Sequence, residues 1–376
     1  MIRRPARWAA LDGVRAIAIL LVIPHNADIY PADPGPFWPL AIGASVGWIG
    51  VQLFFVLSGF LITGQLLDAV GSPHYFRDFY LRRALRILPL YYLTLFVGLV
   101  LLRALSIAPP LSAGESSAQV WLWLFLNNWV QPFGSTVHGF EHFWSLAVEE
   151  QFYLVWPFIV LACREAGLLR ACVAAIVLAV LTRTSLFLAG TTHDANYMFT
   201  ICRMDALALG AIAALLVRRP AATARIVAHG GLILSVTMAG LAALALATHA
   251  YGKDDPILQL AGYSLLALGF AAGIVVLAAR EQTGRGTWLE RLLAIAPLRA
   301  VGRYSYAMYV FHLPLVIVLT PVIRHSLAGA GPALPLLVAL LIGIATFVAA
   351  AISYHLFEKH LLALKERIAP RIAQRS

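Results

Sequence analysis

The chain has 376 residues, of which 61% are hydrophobic and only 12% are charged. Soluble domains are about half apolar and a quarter charged, so this composition excludes an ordinary soluble domain and predicts an integral membrane protein. The formal net charge of +10 does not indicate a nucleic-acid-binding protein, because the basic residues form short clusters between apolar runs instead of one basic face or tail. The spacing of the three cysteines predicts no metal site.

Ten apolar runs are long enough to cross a bilayer, whose hydrocarbon core needs about 20 helical residues. In chain order, the predicted spans are residues 11–28, 45–67, 85–103, 144–163, 171–189, 201–217, 231–249, 258–279, 303–323 and 335–357. The apolar stretch 120–131 is too short to cross, and we expect it to be re-entrant or interfacial. The sequence therefore predicts an all-α, polytopic fold in a single membrane-embedded domain that covers residues 1–376.

The loops between these runs carry very unequal numbers of basic residues. With the N-terminus inside the cell, 22 of the 28 lysines and arginines lie on the cytoplasmic side. Short cytoplasmic loops are enriched in Lys and Arg, so both termini are predicted to be cytoplasmic. We expect a multi-pass protein of the inner (plasma) membrane.

Two charged or titratable residues interrupt the first apolar run. A charge at mid-bilayer costs roughly 2.5–3.5 kcal/mol, so each such residue is a candidate functional residue. Arg15 and His25 are ten residues apart, and a helix rise of 1.5 Å per residue separates them by about 15 Å. The alternative is that Arg15 extends to the headgroups and His25 only ends the helix.

The second and third runs add polar groups. The segment YLRRALRILPLYY contains Arg82, Arg83 and Arg86, whose forked donors suit phosphate oxygens. Topology alone would also explain arginines at a cytoplasmic helix end. In FFVLSGFLIT, Ser58 is a candidate binding residue, although a Ser-Gly pair there also favours ordinary helix packing.

The segment HFWSLAVEEQFYLVWP is the most informative, since it places two adjacent glutamates, Glu149 and Glu150, inside an apolar helix. A structural role would need only one carboxylate with one partner. Helical spacing puts Glu149 on one face with Ser145, whereas Glu150 points about 100° away, toward a neighbouring helix. Both glutamates are therefore candidate catalytic residues.

Two further candidates lie in later runs. Arg203 begins the sixth run beside Asp205, and it is expected to pair either locally or with a glutamate of the fourth run. His312 lies at mid-depth in the ninth run, before Pro314. A hydrogen-bonded core histidine is the alternative interpretation there.

The predicted depths of these residues in the membrane suggest that they form one site. Span 1 runs outward and span 4 runs inward, so His25 and Glu149 are expected at similar depth, with the arginines at a cytoplasmic mouth about 15–20 Å away. This arrangement suits a nucleotide thioester whose phosphates dock at the arginines. His25 would be the general base for an acceptor hydroxyl, a carboxylate would orient its ring, and an arginine would stabilise the oxyanion.

Six motifs, in order, resemble the acyltransferase 3 family of bacterial membrane O-acyltransferases. They are LDGVRAIAILLVIPH (11–25), FFVLSGFLIT (54–63), YLRRALRILPLYY (80–92), HFWSLAVEEQFYLVWP (142–157), RMDALALGA (203–211) and GRYSYAMYVFHLP (302–314). The resemblance implies a ten-helix fold that moves an acyl group, often acetyl, from cytoplasmic acyl-CoA to a hydroxyl of a carbohydrate or similar acceptor. Acyl-CoA would be a co-substrate, and no permanently bound cofactor is expected.

The resemblance also implies that Arg15 and His25 are the family's essential arginine and histidine of helix 1. The family separates this pair by ten residues, whereas nine intervene here, which leaves the side chains about 80° apart around an ideal helix. Pro24 is expected either to distort the turn and re-aim the ring, or to leave Arg15 and His25 at separate ends of a tunnel.

The acceptor step has two open alternatives. Many members of the family carry an additional soluble hydrolase-like domain. Because this chain ends soon after the tenth run, we expect direct acylation of the acceptor or transfer to a separate periplasmic acyl-receiving protein. A transporter of a glycan or lipid-linked precursor is the alternative function, since buried charges are common there too. A sensor that binds acyl-CoA without turnover is a third.

Overall fold

The structure is a computed structural model that describes residues 8–27, 43–163, 165–248, 252–283 and 287–368. These residues form helices and connecting turns, without a strand. In this part of the chain, nine helices are long and apolar enough to cross a membrane, or ten if the bent pair Pro220–Gly230 and Ser235–Ala243 is one span. The prediction of an all-α, polytopic membrane fold is confirmed.

The helices are numbered in chain order. They are α1 (Ala9–Asn26), α2 (Ile49–Ala69), α3 (Tyr75–Ala104), α4 (Ala113–Trp123), α5 (Trp144–Ala162), α6 (Glu165–Leu188), α7 (Thr200–Leu216), α8 (Pro220–Thr248), α9 (Tyr263–Thr283), α10 (Trp288–Leu293), α11 (Ala296–Ser326), α12 (Leu334–Ser353) and α13 (Lys359–Ile368). Shorter helical turns occur at Asn127–Val130, Gln131–Phe133, Glu141–Phe143, His193–Met198, Leu258–Gly262, Ala328–Ala333 and Tyr354–Glu358.

Several helices begin before the predicted spans, among them α3, at Tyr75 instead of residue 85. α11 begins at Ala296 instead of residue 303, because Pro297 fits the first turn of a helix and the polar residues that follow continue it toward water. α8 begins at Pro220, eleven residues before the predicted span. The predicted span ends at residues 28 and 249 lie outside the described residues, as do the basic residues at positions 3, 4, 7, 371 and 375. The cytoplasmic location of both termini stays a prediction.

Glycines bring α2 and α7 into close contact at the centre of the bundle. A Cβ atom on Gly59 would overlap the carbonyl oxygen of Leu207, and one on Gly210 would overlap that of Val56. The two backbones therefore approach as closely as small residues allow, which is how helices associate in a membrane. Gly59 serves this packing, whereas the neighbouring Ser58 side chain points to a cavity described below.

We expect Gly59→Ala to lower the stability of the folded protein. The added methyl group meets backbone rather than a flexible side chain, and overpacking of this kind costs about 1–3 kcal/mol or more. Gly64→Ala is the control on the same helix, because its Cβ would lie 3.7 Å from the Arg218 guanidinium, an ordinary contact. Thermal denaturation of the detergent-solubilised variants checks this; equal midpoints for both would contradict the proposed close packing.

The segment between α3 and α5 folds back against the middle of α3. The hydroxyl of Tyr91 donates to the carbonyl of Leu122 at 2.7 Å, and the Tyr91 ring packs on Phe125 and Phe143 with centroids 4.0 and 4.8 Å apart. Tyr91 lies twelve residues before Arg103, which corresponds to about 18 Å along α3. α5 therefore begins well inside the bundle, and not at the level where α3 ends.

The N-terminal end of α4 lies outside the spans and is stabilised by a capping box. Ser112 accepts a hydrogen bond from the Glu115 backbone, while the Glu115 side chain accepts from the Ser112 backbone at 3.1 Å. These hydrogen bonds from Ser112 lower the pKa of the Glu115 carboxyl, with a further contribution from the His138 backbone.

A buried ion pair joins α6 to α7. Arg183 and Asp205 have fully buried side chains, and their Nη1 and Oδ2 atoms are 2.9 Å apart. The Ser264 hydroxyl at the start of α9 donates to the same Asp205 oxygen at 2.6 Å. Each charge thus has a partner inside the bundle, which a buried charge requires.

Candidate active site

One cavity lies between α1, α2, α3, α5 and α11, and six of the ten predicted site residues line it. These are Arg15, Ser58, Arg83, Arg86, Glu149 and Glu150. The sequence separates them by as many as 135 positions, so only the packing of four helices brings them together. The cavity also contains hydroxyl groups of Ser145, Tyr153 and Tyr309.

The arginines are held in place by several different contacts. Arg15 lies 3.6 Å from Asp12, one turn earlier on α1. Arg83 donates to the side-chain oxygen of Gln65 at 3.2 Å, and its guanidinium carbon lies 5.6 Å from the centre of the Tyr153 ring. Three guanidinium groups that share one cavity can grip an anion with several phosphate oxygens.

Glu149 belongs to a chain of hydroxyl groups. The Tyr153 hydroxyl donates to Glu149 Oε2 at 2.8 Å and makes a short hydrogen bond with the Ser58 hydroxyl. Glu150 Oε1 is buried and has no hydrogen-bond partner among the described residues. A second serine–tyrosine pair, Ser145 and Tyr309, has oxygens 2.5 Å apart.

His25 lies beyond the end of this cavity that Val51 lines. Its Nδ1–H donates to the carbonyl of Ala44 at 3.1 Å, so in the neutral ring the lone pair is on Nε2. The Cβ of His25 packs against Gly47, four residues before Val51, which lines the cavity. Four residues, about 6 Å of helical rise, thus separate the residue that contacts His25 from the lined space. Arg15 and His25 lie at separate ends of it.

The structure does not bring His25 and Glu149 together as expected. Glu149 is connected to Ser58 through Tyr153. Ser58 lies eleven residues after Gly47, which corresponds to a helical rise of about 16 Å. The depth argument assumed that span 4 starts at the membrane surface. Instead, α5 starts where Phe143 contacts Tyr91. Glu149 follows Phe143 by six residues, so it lies further into the bundle, at the level of the arginines.

Arg82 and Arg203 do not line the cavity. Arg82 precedes Arg83 on α3 and therefore faces another direction. Arg203 is fully buried, donates to the side-chain oxygen of Gln52, and lies 4.3 Å from the ring centre of Tyr263 and 5.0 Å from that of Tyr197. It does not pair with Asp205, because residues two apart on a helix do not face each other.

His312 is also away from the cavity, in a structural pair. Its Nδ1–H donates to the Tyr309 carbonyl at 2.6 Å, and its ring centre lies 4.6 Å from that of His142. His142 Nε2–H donates to the Val310 carbonyl at 3.3 Å. Pro314 has no N–H for that carbonyl four residues earlier, so His142 supplies the missing hydrogen bond. The core interpretation of His312 fits this contact.

The model of the acyltransferase 3 family, described as an acyltransferase domain, matches residues 8–355. The chain belongs to this family. It is 30% identical to the candidate peptidoglycan O-acetyltransferase YrhL of Bacillus subtilis, over 93% of this chain and 54% of that protein. It is 26% identical to peptidoglycan O-acetyltransferase OatA of Listeria monocytogenes, over 93% and 55%, and 25% identical to O-acetyltransferase OatA of Staphylococcus aureus, over 83% and 51%.

The chain therefore spans about half the length of the curated relatives it matches. None of the solved structures compared with it matches significantly. The apolar helices and the family together identify a multi-pass protein of the bacterial cell membrane.

Sequence reasoning missed the cavity tyrosines of this acyltransferase-family chain. Tyr153 lies four residues after Glu149, the spacing at which helical side chains meet, so the pair was detectable. Tyr309 had no such signal, because its partner Ser145 is 164 positions away. Long-range pairs of this kind depend on how α5 and α11 pack.

Proposed function

We propose that this protein is an O-acyltransferase that moves an acyl group, expected to be acetyl, from acyl-CoA to a hydroxyl of a cell-envelope carbohydrate. One observation carries the proposal: a chain of the acyltransferase 3 family gathers three arginines, two glutamates and two serine–tyrosine pairs in one cavity among its membrane helices. Charged groups at this depth are costly, which favours a functional role.

The donor end of the proposed site is formed by Arg15, Arg83 and Arg86. Their guanidinium groups suit the phosphates of acyl-CoA, and the predicted orientation puts this end toward the cytoplasm. The cavity follows α2 from Ile62 to Val51, about 16 Å, which accommodates the narrow thioester arm. Extended outward, the arm directs its thioester toward His25.

His25 is the proposed general base. The acceptor oxygen attacks the thioester carbonyl carbon while its proton passes to the imidazole, the carbon–sulfur bond breaks, and the thiolate takes that proton. Glu149 and Glu150 act at the donor end in this scheme, where they balance the arginines and Glu149 holds Tyr153 in place. In this mechanism neither Glu149 nor Glu150 orients the His25 ring.

The acceptor is proposed from the relatives. Two of them are named as acting on peptidoglycan, and we propose peptidoglycan or another envelope carbohydrate as the acceptor here. Direct transfer to this acceptor is the simplest route. Transfer through a separate periplasmic acyl-receiving protein would leave the donor end and His25 in the same roles.

We expect Arg83→Gln and Arg86→Gln each to raise the Kd for acetyl-CoA about 10- to 100-fold, because a hydrogen bond to a charged group contributes about 1.5–3 kcal/mol. Arg77→Gln is the matched control on α3, since Arg77 is exposed and pairs with its neighbour Asp78. Calorimetry on nanodisc-reconstituted protein measures the Kd. Equal affinity in all three variants would overturn the donor assignment.

Mass spectrometry of the envelope separates the enzyme from a transporter. A strain that lacks the protein is expected to lose O-acyl groups while the amount of the underlying carbohydrate stays the same. Loss of the exported carbohydrate itself would favour transport.

A further inference from the structure

A cluster of charged side chains lies beside His25, at the end of the cavity remote from the arginines. Lys253 Nζ is 3.0 Å from Asp194 Oδ1 and 2.8 Å from Asp254 Oδ1. His25 packs against Gly47, and the ring of the next residue, Trp48, lies 5.4 Å from the ring of Tyr263. The Tyr263 hydroxyl donates to the Lys253 carbonyl at 2.6 Å, which places the cluster near His25. The family motifs do not include any of these three residues.

The side chains of the cluster are accessible to ligands, and the Lys253 backbone is held in place by buried residues. Its side chains are 28% exposed at Lys253, 44% at Asp194 and 57% at Asp254. The Lys253 carbonyl accepts hydrogen bonds from Tyr263 at 2.6 Å and from Gln259 at 3.0 Å, and both donors are fully buried residues. Such fixed and accessible polar groups lose little conformational entropy when they bind a ligand.

Arg203 supports the same cluster from inside the bundle. The Lys253 ammonium group lies 5.0 Å from the Tyr197 ring centre, and the Arg203 guanidinium lies 5.0 Å from the same ring. Tyr263, which holds the Lys253 carbonyl, also contacts Arg203. A buried cation is thus connected through two aromatic rings to the surface beside His25.

Lys253 keeps its positive charge in this setting. Burial by itself would lower the pKa of its ammonium group, but the hydrogen bond to Asp254 and the charge of Asp194 raise that pKa above its ordinary value. The cluster therefore presents an ammonium donor between two carboxylate acceptors. Among the described residues its carboxylates outnumber its cation, which disfavours a phosphate.

We propose that Asp194, Lys253 and Asp254 form the acceptor subsite, which binds a carbohydrate unit with hydroxyl or amide groups and without phosphate. The inference rests on the proposed function, because it takes His25 as the base. Carboxylate oxygens accept from sugar hydroxyls, and the ammonium group donates to ring or carbonyl oxygens. A sugar held there lies beside the imidazole that removes its proton, while acyl-CoA reaches the same point from the opposite side.

The test is acetyl transfer from acetyl-CoA to an N-acetylglucosamine tetramer by the full chain in nanodiscs. Asp254→Asn and Lys253→Met are expected to raise the KM for the tetramer at least 10-fold and to leave the KM for acetyl-CoA within twofold of the unsubstituted protein. Binding of the tetramer, measured separately by saturation-transfer NMR, is expected to weaken in the same variants.

Asp255→Asn is the matched control, one residue further along. It removes the same charge, but Asp255 Oδ1 accepts from the backbone N–H groups of Ile257 and Leu258 at 2.9 and 3.0 Å, which asparagine also does. Equal effects of Asp254→Asn and Asp255→Asn, a change in the acetyl-CoA KM instead, or no tetramer binding would overturn the subsite. Tetramer binding that depends on Asp254, without acetyl-CoA turnover, would support the subsite and contradict the proposed function.

Discussion

Replacement of His25 with alanine is expected to lower the rate of acyl transfer by about 10²–10⁴-fold, the usual contribution of a general base. The Kd for acetyl-CoA is expected to change little, because His25 does not line the cavity that holds the arginines and packs against Gly47, four residues before the lining residue Val51. A loss in turnover without a loss in donor binding is the signature of a group that acts on the acceptor proton.

The measurement is thiol release from acetyl-CoA by purified protein with and without carbohydrate acceptor, together with acetyl-CoA calorimetry. His229→Ala is the control, since His229 is exposed on α8 and its Nδ1–H donates to the Arg225 carbonyl four residues earlier. Turnover within threefold of the unsubstituted protein would remove His25 from the mechanism. Equal loss of donor affinity would make it a binding residue instead.

The membrane fold was predictable because apolar length and the spacing of charges are properties of each run by itself. The helices Ala9–Asn26 and Ile49–Ala69 follow from about 20 apolar residues each. The candidate status of Arg15, Arg83 and Glu149 follows similarly from the cost of a charge in an apolar run. These inferences need no knowledge of which helices are neighbours.

The depth in the bundle at which each helix begins was not predictable in the same way. The fourth apolar run looks like any other, yet α5 starts at the level of Tyr91 because the preceding segment folds back into the bundle. Carbonyl groups of this preceding segment accept hydrogen bonds from tyrosine hydroxyls of α3. No local sequence pattern predicts these hydrogen bonds. Glu149 therefore lies near Arg15 and Arg83 instead of near His25, where it was expected.

The different surroundings of the arginines also could not be predicted without the tertiary contacts. Arg83 and Arg203 both interrupt apolar helices, and the insertion cost is the same for each. Arg83 faces a cavity, whereas Arg203 is enclosed by Gln52 and aromatic rings and supports the loop beside His25. Only the contacts of each side chain distinguish an arginine that faces a cavity from one that is enclosed in the bundle.

Breaking the buried pair of Arg183 and Asp205 should be the most destabilising substitution of a single charge. Arg183→Met leaves the Asp205 carboxylate without its cation in a fully buried site, and the removal of one partner from such a pair costs about 3–5 kcal/mol. The double variant Arg183→Met, Asp205→Leu is expected to recover most of that loss, because well-packed apolar residues of similar volume replace a buried pair at little net cost.

The exposed pair of Arg219 and Glu165 is the matched comparison for this prediction. Its atoms are 3.2 Å apart and its side chains 45% and 57% exposed, so Arg219→Met should change the free energy of unfolding by about 0–1 kcal/mol. Denaturant titration of solubilised protein gives both values. If Arg183→Met is as mild as Arg219→Met, or if the double variant is no more stable than the single variant, the buried ion pair does not hold α6 to α7.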